Sequence, residues 1–254
     1  MQCLPALQQI ACEKCGFNHK KKTAAWFLML VGIRLPYRLR HQHLITGKPM
    51  KPSKTHMHHK TGIPFITLFI GTAAFLLFFG DSAPYLQYNR AAIANGELWR
   101  FVTSHLTHWS FDHLLWCTIT FVSLGCICER LSRTGLVTTL LVSSFIIPLV
   151  SWLVEPGMDF YRGLSGLASS IFVFGAGIML CESYVHRNWP EFILAAVAGL
   201  AFSGKIIFEF VSGNALFVNT EELFAPAPLA HITGGIIGLL MVILFTPQSN
   251  NQSG

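Results

Sequence analysis

Six apolar stretches, separated by short polar connections, dominate the chain: Ile63–Phe79, about Ser110–Cys128, Leu136–Val154, Gly163–Cys181, Phe192–Val211 and Leu229–Phe245. Each approaches the roughly 20 residues that an α-helix needs to cross a bilayer core. The pattern predicts an all-α polytopic membrane domain of six transmembrane helices over residues 61–246. Residues 247–254 form a polar tail. Residues 1–60 are basic, His-rich and poorly periodic, and are read as a cytosolic segment that is interfacial or disordered. Ala24–Ile33 is apolar but too short to span, and no small-residue cleavage site follows it. Met50 and Met57 offer alternative starts, which N-terminal mass spectrometry would decide.

Composition agrees with this picture. The chain is 52% hydrophobic and 12% charged, about half the charge fraction of a typical soluble domain. The net charge of +6 does not point to nucleic acid, because 11 of the 18 Lys and Arg lie before residue 61. With the N-terminus inside, inner segments hold that arm plus Arg130, Arg133 and Arg187. Outer segments hold Arg90, Arg100 and Arg162. The count is 14 basic residues inside against three outside, which favours both termini in the cytoplasm. The seven cysteines show no disulfide framework. Cys117, Cys126, Cys128 and Cys181 lie in or beside apolar runs, where Cys behaves as a small hydrophobe.

This topology sends spans two, four and six across the membrane in the same direction. Their N-terminal ends carry His108 and His113, Ser165, and His231 respectively. Gly163, Ser165 and Gly166 are small residues that permit close helix contact. Yet a serine at a helix N-terminus also meets unpaired N–H groups and the positive end of the dipole, where an oxyanion would be held. An ionisable residue such as His231 inside a span is a functional candidate by default. On its helix Gly234 and Gly238 make a small-residue face, so the side that carries the imidazole can approach a neighbour closely. A hydroxyl and a base at the same depth form the pairing that activates a serine.

Other groups have quieter readings. His105, His108 and His113, with Cys117, could bind zinc, although spacings of three and five do not share one helical stripe. Cys12-x-x-Cys15 with His19 is a weak zinc motif. Glu129-Arg130 reads as an interfacial ion pair and loop anchor. Lys205 and Glu209 lie four residues apart inside span five and are expected to pair structurally, since burying either alone is costly.

Taken in order, these residues resemble the rhomboid family of intramembrane serine proteases. The resemblance covers about residues 97–240. It rests on Glu97-Leu98-Trp99-Arg100, His108, His113, Gly125, Glu129-Arg130, Gly163-Leu164-Ser165-Gly166 and Ala230-His231 with Gly234 and Gly238. The spelling Tyr161-Arg162-Gly163-Leu164-Ser165-Gly166 is most similar to the rhombosortase branch, associated with trimming C-terminal Gly-Gly-type sorting tails from exported bacterial proteins.

The resemblance implies a six-helix rhomboid fold in a bacterial inner membrane, acting on membrane-anchored protein substrates without metal or cofactor. It implies Ser165 as nucleophile and His231 as general base, a dyad without a third acid. The oxyanion hole would comprise the Ser165 backbone N–H and the His113 side chain. The family's asparagine four residues after that histidine is here Cys117, and thiol is a poor donor. The aromatic or His that often packs on the catalytic imidazole is here Ser169. These departures leave a non-cleaving relative that binds transmembrane clients as one alternative. A His-based metal-dependent hydrolase or transporter is another.

Overall fold

The computed structural model describes residues 63–213 and 227–246. The 1–60 and 247–254 segments, and with them Cys12, Cys15 and His19, lie outside the described residues. Five long helices and one shorter one form the described body: α1 Phe65–Phe78, α2 Phe111–Leu131, α3 Arg133–Val154, α4 Ser165–His186, α5 Trp189–Ser212 and α6 Pro228–Phe245. The five from α2 to α6 are long and apolar enough to cross a membrane, and α1 is a shorter apolar helix. The chain is thus an all-α multi-pass membrane protein. Large apolar side chains such as Phe69, Leu141, Leu200 and Val211 are exposed on its flanks. That is expected where the surrounding solvent is hydrocarbon rather than water.

Helix ends differ from the apolar runs by a few residues, for local reasons. Span two does not stop at Cys128 but continues through Glu129 and Arg130 to Leu131. Ser132 then turns the chain, its side chain accepting from the Gly135 N–H to cap α3. Span four begins at Ser165, not Gly163, because Gly163 has φ +128° and cannot belong to a right-handed helix.

Contacts give the arrangement. Thr67 of α1 meets Gly125 of α2 and Val122 meets Gly71, so these helices are antiparallel. Cys128 Sγ donates to Ile171 O at 3.2 Å, fixing α2 on α4. Phe174 of α4 meets Gly135 of α3 while Gly166 meets Ile147, again antiparallel. Gly234 of α6 lies on the Gly166 carbonyl, and Gly238 on the Ser170 carbonyl. Both contacts advance four residues in the same direction, so α4 and α6 run parallel with their N-termini together. α4 is the central helix, with Ile171 and Phe174 fully buried.

Glu129 departs from the expected role. Its carboxylate accepts from Ile66 N at 3.4 Å, Thr67 N at 3.1 Å and Thr67 Oγ1 at 2.9 Å. The two backbone N–H groups are orphan donors of the α1 N-terminus, where Pro64 supplies no side-chain cap. Its cationic partner is Arg133 at 3.3 Å, not Arg130. Spacing decides this: i,i+4 brings side chains onto one helix face, whereas adjacent residues diverge.

Residues 80–110, which carry no long apolar run, fold nonetheless. Short helical turns at Ala83–Leu86, Arg90–Ala94 and Arg100–Thr103 are joined by a two-residue ladder, β1 Tyr88–Asn89 against β2 Phe160–Tyr161. Arg100 is the clasp: it pairs with Glu97 at 2.6 Å and donates to Pro84 O at 2.9 Å and Gln87 O at 3.0 Å.

Candidate active site

The N-terminal turn of α4 is held from below and from the side. Gly163 N donates to Ser104 O at 3.2 Å, and the Tyr161 hydroxyl donates to Gly163 O at 3.1 Å. His105 sits behind this turn, with Nδ1 3.3 Å from Gly163 O and Nε2 3.2 Å from Ser144 O. Burial lowers its pKa to about 4, so at neutral pH it carries one ring proton and donates to one carbonyl only. Ser144 O has the stronger claim. Pro148 lies four residues later in α3 and has no N–H to give it, whereas Gly163 O already receives the Tyr161 hydroxyl.

His108 precedes α2 rather than opening it. Its Nε2 accepts from Leu164 N at 3.5 Å, and its ring meets His113 edge-on at 5.1 Å between centroids. Burial lowers its pKa to about 3, aided by the neighbouring His113, His105 and Arg162. Arg162 closes the rim: it donates to Gln87 Oε1 at 2.7 Å and to His108 O at 3.3 Å, and stacks on Trp109 at 4.2 Å. Of the three histidines, His105 and His108 are therefore committed to the scaffold, with the one ring proton of His105 given to the Ser144 carbonyl.

His113 alone is on α2, buried, one turn from the Ser110 cap. A Cβ built on Gly163 would fall 2.9 Å from His113 Nε2 and 3.9 Å from Ser165 Oγ. The imidazole and the serine hydroxyl thus border one small space, and only glycine leaves it open. Cys117, one turn on and also buried, lies against the backbone amides of Leu164 and Ser165. The Tyr161 hydroxyl lies beside Ser165 and the Gly166 amide. Ser165 itself is partly accessible, while Gly163, Leu164 and Gly166 around it are buried.

The α4–α6 register brings the remaining group. Gly234 sits on Gly166, so the preceding turn of α6, which carries His231, lies over the α4 N-terminus. His231 is buried, and its Nδ1 is 2.8 Å from Glu209 Oε2. The other Glu209 oxygen accepts from Lys205 Nζ at 2.6 Å. The expected Lys205–Glu209 pair is therefore present, but it is part of a larger array. An ionised carboxylate can only accept, so His231 Nδ1 carries a proton, and in the neutral imidazole Nε2 is then the nitrogen with the lone pair. Ser169 lies elsewhere: its hydroxyl donates back to Ser165 O at 2.9 Å, and its Cβ faces Gly234.

Two neighbours of the site escaped the sequence reading. Glu209 was paired with Lys205 by spacing alone, and nothing local links position 209 to 231. Tyr161 carried no assigned role. It entered only as part of the Tyr161–Gly166 spelling.

A comparison with known families finds one match. The Rhomboid domain family model matches residues 95–248. The chain belongs to the rhomboid family. Rhomboids are intramembrane serine proteases that act on membrane-anchored substrates. No curated protein matches the chain. The match starts just before the Glu97–Arg100 clasp and runs past α6, so it takes in His113, Cys117, Ser165, Glu209 and His231, while Gln87 and β1 lie before it. In this rhomboid the segment before α2 also borders the candidate site: it supplies His108 and the Ser104 carbonyl, which hold Leu164 N and Gly163 N.

Proposed function

We propose that the chain is an intramembrane serine endopeptidase with Ser165 as nucleophile and His231 as general base. What supports this above all is the seating of α6 on α4 through Gly234 and Gly166, which lays the His231 turn over the N-terminus of Ser165's helix. A substrate transmembrane segment unwinds near the outer face and offers a peptide carbonyl to Ser165. His231 Nε2 takes the hydroxyl proton as Oγ bonds to the carbonyl carbon. The developing oxyanion is held by the Ser165 backbone N–H and the His113 imidazole. His231 then returns the proton to the leaving amine, and the C–N bond breaks. Water, deprotonated by the same imidazole, releases the acyl chain and restores Ser165. Gly163, Gly166, Gly234 and Gly238 keep these parts close.

We place the protein in a bacterial inner membrane with both termini cytoplasmic and the Ser165 end outward. The Tyr161–Gly166 spelling favours the rhombosortase branch and removal of C-terminal sorting tails from exported proteins. The test is co-expression of a substrate carrying a Gly-Gly-type C-terminal tail with wild type and with Ser165→Ala. Tail release by wild type alone is expected; release by both, or by neither with the wild type folded, contradicts the reading.

One observation favours a second reading. The Cys117 thiol occupies the place against Leu164 and Ser165 where a strong donor is expected. One such donor is worth roughly 3–4 kcal/mol of transition-state stabilisation. A chain lacking it would bind transmembrane clients and cut them slowly or not at all.

A further inference from the structure

Among the residues of α5, only Ala195 and Glu209 are buried. The rest of that helix is half-buried or exposed, and most of it is apolar. A carboxylate is thus one of only two side chains that α5 commits to the interior. Burying an ionised group costs several kcal/mol, and a buried ion pair is weak evidence for a stabilising purpose. An apolar residue would seat the helix at lower cost. The position of the carboxylate calls for another account.

Glu209 faces inward at the end of α5 that lies beside the α4 N-terminus. Phe202 packs on Phe172 of α4 at 4.8 Å between ring centroids, and Glu209 follows two turns later in the direction of Ser165. There Oε2 meets His231 Nδ1 at 2.8 Å and Oε1 meets Lys205 Nζ at 2.6 Å. Both the imidazole and the carboxylate are buried, at 8% and 2% side-chain exposure. Lys205 keeps an opposite charge on the acid, which favours the ionised form inside the span. His113 and Cys117 of α2 lie within electrostatic reach of this array, and Tyr161 lies beside Cys117 and Ser165.

We infer that Glu209 is a positioning residue, the acid of a Ser165–His231–Glu209 array, held ionised by Lys205. Its carboxylate accepts the Nδ1 proton, fixes the imidazole in the tautomer whose Nε2 is free for Ser165, and stabilises the imidazolium formed when the hydroxyl proton is taken. It does not itself become protonated in the step. This rests on the assignment of Ser165 and His231 as nucleophile and base. It also makes base competence depend on α5, since the acid leaves His231 whenever that helix leaves its seat.

The test uses the full chain in detergent and a fluorophosphonate probe, separating KI for the probe from kinact for serine phosphonylation. Glu209→Gln should lower kinact roughly 100-fold or more, the scale set by loss of the correct tautomer in serine hydrolases. KI should stay within about threefold, and Glu209→Asp should recover part of the rate. If Glu209→Gln loses its thermal transition, Lys205→Met with Glu209→Gln, which removes both charges, takes its place. An unchanged kinact in a folded Gln variant overturns the role of Glu209. So does a loss that Asp does not relieve, or a change confined to KI. Ser165→Ala and His231→Ala run in parallel. Labelling that persists in Ser165→Ala overturns the underlying assignment instead, so the two failures are distinguishable.

Discussion

Around Ser165 each residue answers to several constraints at once. Gly163 takes a backbone conformation that side-chain-bearing residues avoid, and it leaves the space that His113 and Ser165 share. Cys117 is the residue at which family resemblance and chemistry part. Its thiol donates weakly where an amide would donate well. Cys117→Asn should therefore raise turnover, by about 10-fold or more if the amide reaches the oxyanion. Turnover that falls while the thermal midpoint is kept would show that position 117 does not border the oxyanion. Ser165 and His231 stood out as candidates in the sequence, because small residues and ionisable groups inside apolar runs are conspicuous, whereas His113 was set apart from His105 and His108 only by the family resemblance. Glu209 was legible only as half of an i,i+4 pair. Its contact with His231 bridges 22 positions and two helices, and only packing can bring that about.

Helix by helix, the apolar period located the spans but not their ends. Ends are set by single residues: Ser110 and Ser132 as caps, Gly163 as a turn, and Glu129 reaching from α2 to cap α1. The folding of residues 80–110 was not legible, since its hydrogen bonds run through Arg100, Arg90 and Arg162 to scattered backbone carbonyls. The α4–α6 contact matters most for the site. At Gly234 an added Cβ would fall on backbone, the Gly166 carbonyl, which cannot swing aside as a side chain can. Gly234→Val should separate the two helices at the level of His231. It is expected to abolish phosphonylation and to lower the thermal midpoint, by overpacking worth about 1–3 kcal/mol. Wild-type labelling in that variant would remove the α4–α6 register as the device that brings base to nucleophile.

For the molecule as a whole, the buried histidines outside the spans link stability to pH. Burial holds His105 at about 4 and His108 at about 3, against an ordinary value of 6.5. Above roughly pH 6.5 both are neutral in the folded and the unfolded chain, and they contribute no slope. Below it the unfolded chain takes up protons that the fold refuses, so stability falls as pH drops from about 6.5 toward 4. The thermal midpoint in detergent should decrease from pH 7 to pH 5; a midpoint that is flat or rising over that range would place these rings in contact with water. The same scaffold that excludes protons from His105 and His108 leaves Ser165 partly accessible, as the proposed hydrolysis requires. The most direct measurement is fluorophosphonate labelling of the purified protein, read by intact mass, for wild type, Ser165→Ala and His231→Ala. One phosphonyl adduct on wild type, none on Ser165→Ala and a severely slowed reaction in His231→Ala is the predicted result. A folded wild type that takes no label, or an adduct that survives Ser165→Ala, would contradict it.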